Sequence, residues 1–315
     1  MNCPFCSSAE IKTFSAFLHG AQDAGSRLSI RECLDCGLAW QFPRIRTAAE
    51  SVEILSHRYE EQKEGSYCDP QKRRATAETE LAFLESFSEA PGKLLDIGAG
   101  DGAFIAQAAG HGWECIGIDP AARQDPELRP SDAGSFTLIQ GTLKDLDPTQ
   151  RFDAITMWDV IEHLDDPAEV LSTAASFLKD SGILIVETGN YQSVDRIASG
   201  PNWWAYMAEH RWYFAPPTVR QLLNKAGLRH VAIGPQVLRP WWRGRHSYDG
   251  PSKSRTLKKI VRHPLTALQT VRQYKLLRTA AAHWNRWAGL GIFAMVASRR
   301  PIRSYRGNAG FIDLS

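Results

Sequence analysis

The chain has no apolar run near the ~20 residues that a membrane-spanning helix needs. Its longest such run, Gly289 to Ala297, reads as a strand. No secretory leader is read at its amino terminus. Cysteine is scarce, six in 315 residues, and Cys68 and Cys115 stand in isolated contexts. That usage fits a reducing compartment better than a disulfide framework. No Lys-Ser or Lys-Thr follows its glycine-rich turn, which argues against a phosphate-binding P-loop. The expectation is a cytoplasmic protein of one main domain with appendages, at most peripheral at the inner face of the membrane.

Net charge is also small, +2, but its distribution is not. Residues 1–238 carry 21 basic and 33 acidic side chains, and residues 239–315 carry 16 and 2. Within the basic part, Leu257, Ile260, Val261, Leu265, Leu268, Val271, Tyr274 and Leu277 recur near a helical period, with Pro264 as a break. Upstream, Arg239-Pro240-Trp241-Trp242-Arg243 interleaves aromatics with arginines. Three readings stand for this basic helical insert, about 239–288. It is a solvated face, a contact with an anionic membrane surface, or a site for a polyanion such as nucleic acid or a sugar diphosphate.

The most informative segment is Leu94-Leu-Asp96-Ile-Gly98-Ala99-Gly100-Asp-Gly102. A short apolar run ends in an acid, three alternating glycines follow, and Ala103 to Ala109 are strong helix formers. A strand, a tight turn and a helix N-terminus make a cradle for a bulky ligand. A second strand, Trp113 to Asp119, ends in a carboxylate able to accept two ribose hydroxyls. Phe136–Ile139, Phe152–Met157 and Ile183–Glu187 continue the strand rhythm with helical stretches between, which implies a parallel doubly wound sheet.

Near the amino terminus, Cys3-Pro-Phe-Cys6 and Cys33-Leu-Asp-Cys36 form two C-x-x-C knuckles, with twenty-six residues between Cys6 and Cys33. Four thiolates on two tight turns suit tetrahedral zinc, and with every position taken by sulfur the metal is structural. A disulfide pair and a redox C-x-x-C are the competing readings.

Together these motifs resemble the class I S-adenosylmethionine-dependent methyltransferases, whose first motif has the Asp-x-Gly-x-Gly-x-Gly form. Phe152-Asp-Ala-Ile-Thr-Met-Trp158-Asp159-Val-Ile-Glu162-His163-Leu-Asp-Asp166-Pro167 resembles that family's signature after strand four nearly position for position. The resemblance implies a Rossmann-like, seven-stranded sheet ending in an antiparallel pair, 228–234 with 291–298. It implies that Asp96, Gly98, Ala99, Gly100, Gly102 and Asp119 hold S-adenosylmethionine. Thr142 and Leu143 would lie at the adenine, where many relatives carry an acid, and Trp158 and Asp159 would complete the cofactor site. The domain reading is a zinc-ribbon-like module over 1–45, a helical lead-in over 46–90 with Tyr59 and Tyr67, a methyltransferase domain over 91–300, and a loose tail over 301–315.

Glu209-His210-Arg-Trp-Tyr213-Phe214 resembles the E-H-x-x-Y-F element of zinc-ribbon-bearing sugar methyltransferases, in which the histidine lines the acceptor pocket. The resemblance implies His210 as general base and Glu209 as the residue that orients it or raises its basicity. His163 is a further catalytic candidate, with a packing role as its competitor; His111 reads as a surface residue. Trp203 and Trp204 offer either a wall against a sugar or lipid, or core. The chain is thus similar to bacterial methyltransferases of sugar and polysaccharide biosynthesis, and its central module to quinone O-methyltransferases. The expected acceptor is a small hydroxylated molecule of sugar type, nucleotide- or lipid-linked, methylated at a hydroxyl or ring carbon. An RNA methyltransferase and a non-catalytic scaffold remain alternatives. After strand five, however, Glu187-Thr-Gly-Asn190 stands where amino-group methylators carry Asn/Asp-Pro-Pro-Tyr/Phe.

Overall fold

The structure is a computed structural model that describes residues 2–19, 26–47, 49–54, 70–88, 90–122, 136–235, 292–302 and 312–313. Tyr59, Tyr67, Cys68 and the basic insert over 239–288 lie outside the described residues. Among those described, no helix is long and apolar enough to cross a membrane.

The larger sheet starts at its centre with β4 (Lys93–Ile97), whose residues are buried from Leu94 onward. Helix α1 (Pro70–Glu85) leads into it, and α2 (Ala103–Gly110) crosses to β5 (Glu114–Asp119), which pairs parallel to β4. β6 (Phe136–Gln140) extends that side. β7 (Phe152–Trp158) then pairs with β4 on its other flank, followed by α3 (Pro167–Phe177) and β8 (Leu178–Gly189). After the short helix α4 (Val194–Ser199), the two-residue β9 (Trp212–Tyr213) and α5 (Pro216–Lys225), β10 (His230–Pro235) and β11 (Ile292–Ser298) close the sheet antiparallel. These are the seven strands expected. An eighth, β12 (Ile312–Asp313), pairs with β10, so part of the 301–315 tail read as loose is held in the sheet by backbone hydrogen bonding.

Apolar side chains fill both faces. Met157, Leu184, Val186 and Met295 pack under α3 and α5 on one side, and Leu94, Ala154 and Ile185 under α1 and α2, with Phe104 of α2, on the other. Burial on two faces explains why the strands read as continuous apolar runs. Strand order reverses beside β4, and open parallel sheets bind ligands in the crevice at that switch, outside the carboxyl ends of the strands. The crevice here lies between the loop after β4 and the loop after β7.

The amino-terminal segment forms β1 (Ile11–Phe17), β2 (Arg27–Cys33) and β3 (Ala39–Gln41), an antiparallel meander. The boundary read at residue 45 does not isolate it. β9 adds as the fourth strand, with Ala39 opposite Tyr213 and Trp40 opposite Trp212. A shared core of Leu28, Ile30, Tyr191, Trp203, Tyr206 and Tyr213 welds the meander to the domain.

Candidate functional site

In the loop after β4, Gly98, Gly100 and Gly102 have φ of 78°, 56° and 85°. That left-handed region is costly for residues carrying a Cβ. At Gly98 space adds a second constraint: a Cβ would stand 2.4 Å from Val160 Cγ2, so only glycine lets the loops after β4 and β7 close on each other. Gly117 on β5 similarly admits Ala99 and Ile105, each 2.7 Å from where its Cβ would be. The Gly100 N–H donates to Asp119 Oδ2 at 3.0 Å and the Ala121 N–H to Oδ1 at 2.6 Å, which fixes the carboxylate at the rim of the loop. A backbone bare of side chains beside a half-buried carboxylate fits the adenosyl cofactor that the sequence implies.

Other cofactor candidates fall differently from expectation. Asp96 is buried beneath the loop, accepting from Thr156 Oγ1 at 2.6 Å, and burial raises its pKa to about 7 against that bond, with Asp119 adding to the rise. It braces β4 against β7. Thr142 is occupied by Asp145, whose Oδ2 accepts from the Thr142 N–H at 2.8 Å and from its hydroxyl at 3.2 Å. Sequence reasoning sought an acid at position 142 and missed the one three residues on, which curls back to the same place. Leu143 is buried beside it. Trp158 meets Phe83 of α1 and Phe104 of α2 edge-on, with centroids 6.1 and 5.6 Å apart. Asp159 turns the chain with a φ of 54°.

That turn delivers Glu162, His163 and His210 to one place, with donor atoms within 4.8 Å of one another. The two imidazoles meet edge-to-face at 4.7 Å. His163 Nδ1 lies 3.1 Å from the Glu209 carbonyl, and His210 Nδ1 lies 2.9 Å from the Ala205 carbonyl. A carbonyl only accepts, so each neutral ring carries its proton on Nδ1 and leaves the Nε2 lone pair available. Burial, followed by His163, drives the His210 pKa down to about 4, although Glu209 and Asp159 pull it upward. His163 is lowered as well, mainly by burial. Glu162 is raised to about 8 by burial, reinforced by Asp159. The expected rise in His210 basicity from Glu209 is therefore outweighed, and the backbone of Glu209 orients His163 instead. At neutral pH the pair is an uncharged acceptor beside a protonated carboxyl.

Gln41, unremarked in the sequence, holds this loop. Its Nε2, with two N–H donors shared among three acceptors, lies 2.8, 3.1 and 2.5 Å from the carbonyls of Met207, Ala208 and His210, and its backbone N–H donates to the Arg211 carbonyl at 3.0 Å. No local pattern marks a contact with residues so far away in the chain. Tyr213 and Phe214, expected at the acceptor, are buried in packing, as is Trp203; the chain needs them to fuse the meander to the domain. His111 is at the surface beside Glu85, as read.

Cys3, Cys6, Cys33 and Cys36 bring four sulfurs within 4.8 Å of one another. Cys3 and Cys36 are 3.7 Å apart, and Cys6 and Cys33 3.5 Å, near the ~3.8 Å that tetrahedral Zn–S bonds of about 2.3 Å impose. Each knuckle is followed by a left-handed residue, Ser7 and Gly37, so the two turns match. The sulfurs are far beyond disulfide length, and the set fits zinc. Cys115, also free, is buried in the core.

Comparison with known proteins agrees with the fold. Over 146 residues the chain is 30% identical to a ubiquinone biosynthesis O-methyltransferase of Rhodopseudomonas palustris, covering 43% of this chain and 58% of that protein. A ubiquinone biosynthesis O-methyltransferase of Cereibacter sphaeroides is 31% identical over 159 residues, 47% of this chain and 64% of its own. The chain thus spans less than two thirds of either relative. Among solved structures it is similar in fold to a chain from the complex of the Haloferax volcanii Trm112 methyltransferase activator with a methyltransferase. There the TM-score is 0.50 at 17% identity, covering 82% of this chain and 100% of that one. Residues 70–233 match the family model described as a methyltransferase domain, and with more than half its length in that match the chain belongs to this methyltransferase family.

Proposed function

We propose that the protein transfers a methyl group from S-adenosylmethionine to a hydroxyl, or a ring carbon, of a small acceptor of sugar type, nucleotide- or lipid-linked. Gly98, Ala99, Gly100 and Gly102 would hold the cofactor, with Asp119 at its ribose and Leu143 and the Asp145 turn at its adenine. When bound, the cofactor supplies an electrophilic methyl on a sulfonium, so the protein's task is to position the acceptor and receive its proton. His210 Nε2 is the candidate base that would take the acceptor's proton, and His163 packs edge-on against its ring. The observation that supports this reading is the pair of Nδ1 contacts to backbone carbonyls, which favours the tautomers with the lone pair on Nε2. The zinc at Cys3, Cys6, Cys33 and Cys36 is structural, holding the meander from which Gln41 reaches the His210 loop.

Two measurements test the reading in sequence. Calorimetry with S-adenosylmethionine and S-adenosylhomocysteine should show micromolar binding that weakens sharply in Asp119→Ala; no heat with either ligand would leave a scaffold. Methyl transfer to a panel of nucleotide sugars should then be detectable and fall at least a hundredfold in His210→Ala. Full turnover in that variant would remove His210 as base.

A further inference from the structure

A cleft of about 350 Å³ opens where the meander meets the loop after β7, lined by Arg44, Arg46, Thr47, Glu50, Asp165 and Arg211. This is within the volume range of small-ligand sites, about 300–1,000 Å³. Arg211 is unusual among its residues. Its side chain is only 2% exposed, and its one ionic partner among the described residues is Asp165, which Arg44 shares. The Arg211 Nε and Nη2 atoms are buried without a hydrogen-bond partner. Burying a guanidinium with part of its donor set unanswered is costly, unless a ligand's charge compensates it. The carboxylates do not cancel the site. Glu50 is turned onto the N–H and hydroxyl of Thr47, and Asp165 is divided between two arginines. Among the described lining residues, three guanidiniums stand against two carboxylates.

The position of this cleft ties it to the acceptor. Arg211 follows His210 directly, and its N–H donates to the Glu162 carbonyl at 2.9 Å, so one backbone segment carries both the candidate base and the buried cation. Arg44 arrives from the other side, stacked 5.6 Å over Trp212. Planar guanidinium forks are the groups suited to bidentate recognition of phosphate oxygens.

We propose that Arg44, Arg46 and Arg211 form a subsite for a phosphate or diphosphate group carried by the acceptor, anchoring it beside His210. This rests on the methyl-transfer reading for its purpose, but its test does not. Calorimetric titrations with inorganic pyrophosphate, uridine diphosphate and acetate would be run on the full chain, with and without saturating S-adenosylhomocysteine. Wild-type protein should bind pyrophosphate with submillimolar affinity and acetate at least tenfold more weakly. The double variant Arg44→Gln, Arg46→Gln should lose tenfold or more for pyrophosphate while keeping its affinity for S-adenosylhomocysteine. Uridine diphosphate binding tighter than pyrophosphate would assign a nucleotide carrier, and equal binding a diphosphate read alone, as in a lipid-linked acceptor. No pyrophosphate binding, equal acetate binding, or unchanged affinity in the double variant would overturn the subsite. If S-adenosylhomocysteine fails to bind while pyrophosphate succeeds, the methyl-transfer reading falls and the anion site stands.

Discussion

At His210 two influences compete, and the outcome sets the pH behaviour. Burial and the neighbouring imidazole hold its pKa near 4, below the unfolded histidine value of about 6.5. Between those values the unfolded chain binds the proton that the folded chain refuses, so stability falls as pH drops from about 6.5 towards 4. A His210→Gln variant should therefore show a shallower decline in melting temperature across that window. Asp96 works in the opposite direction. Its carboxyl, raised to about 7, stays protonated in the fold after the unfolded chain has lost its proton, so stability falls as pH rises from about 4 to 7. Asp96→Asn should flatten that loss in the same measurement. Gly98 supplies a third test. Gly98→Ala combines a positive φ with a collision on Val160, and should cost about 2 kcal/mol or more of stability, read by denaturant unfolding. It should also abolish cofactor binding, because the two loops could no longer approach.

Among the elements, β3 and β9 decide how the site is held. Gln41 stands at the end of β3 and its side chain collects three carbonyls from the loop carrying His210. Gln41→Leu keeps the volume and removes these donors. It should lower kcat about tenfold or more while leaving affinity for S-adenosylhomocysteine unchanged, since the glycine loop belongs to β4. A drop in both would mean that Gln41 supports the whole fold and not the base in particular. The elements also divide by legibility. β4, α2, β5 and β7 could be read because each carries its signal within a dozen residues: an apolar run, an acid, glycines, helix formers. β9 could not, because two residues have no period, and its existence depends on a partner edge far earlier in the chain. The Arg44–Asp165–Arg211 cluster was invisible for the same reason. The glycine turn and the carboxylate at the end of β5 were readable as a shape, but the turn at Thr142 was not, because its hydrogen bonds go to a side chain three positions on.

For the whole molecule, the cysteine cluster was legible through its spacing, but the contact of its meander with the loop carrying His210 was not. Its sulfurs sit at one end of the meander, on the turn before β1 and on the turn at the end of β2, and its clamp ends β3, so metal and activity should be coupled. Stripping zinc with a strong chelator should lower the melting temperature and suppress methyl transfer, with S-adenosylhomocysteine binding retained longer than turnover as chelation proceeds. Loss of cofactor binding in step with zinc would mean that the two sheets unfold as one unit.

The pairing of β3 with β9 also has a consequence for the order of events on the ribosome. β1, β2 and β3 can form as local hairpins as soon as they emerge, whereas the strand that completes their sheet is made some 170 residues later. Throughout that interval the edge of β3 has its N–H and C=O groups open, the condition that invites pairing with a second nascent chain. The nearby cysteine knuckles would then act as a timer's catch: a metal captured early would keep the meander compact until its own fourth strand arrives, and a chain starved of metal would be left to find another's.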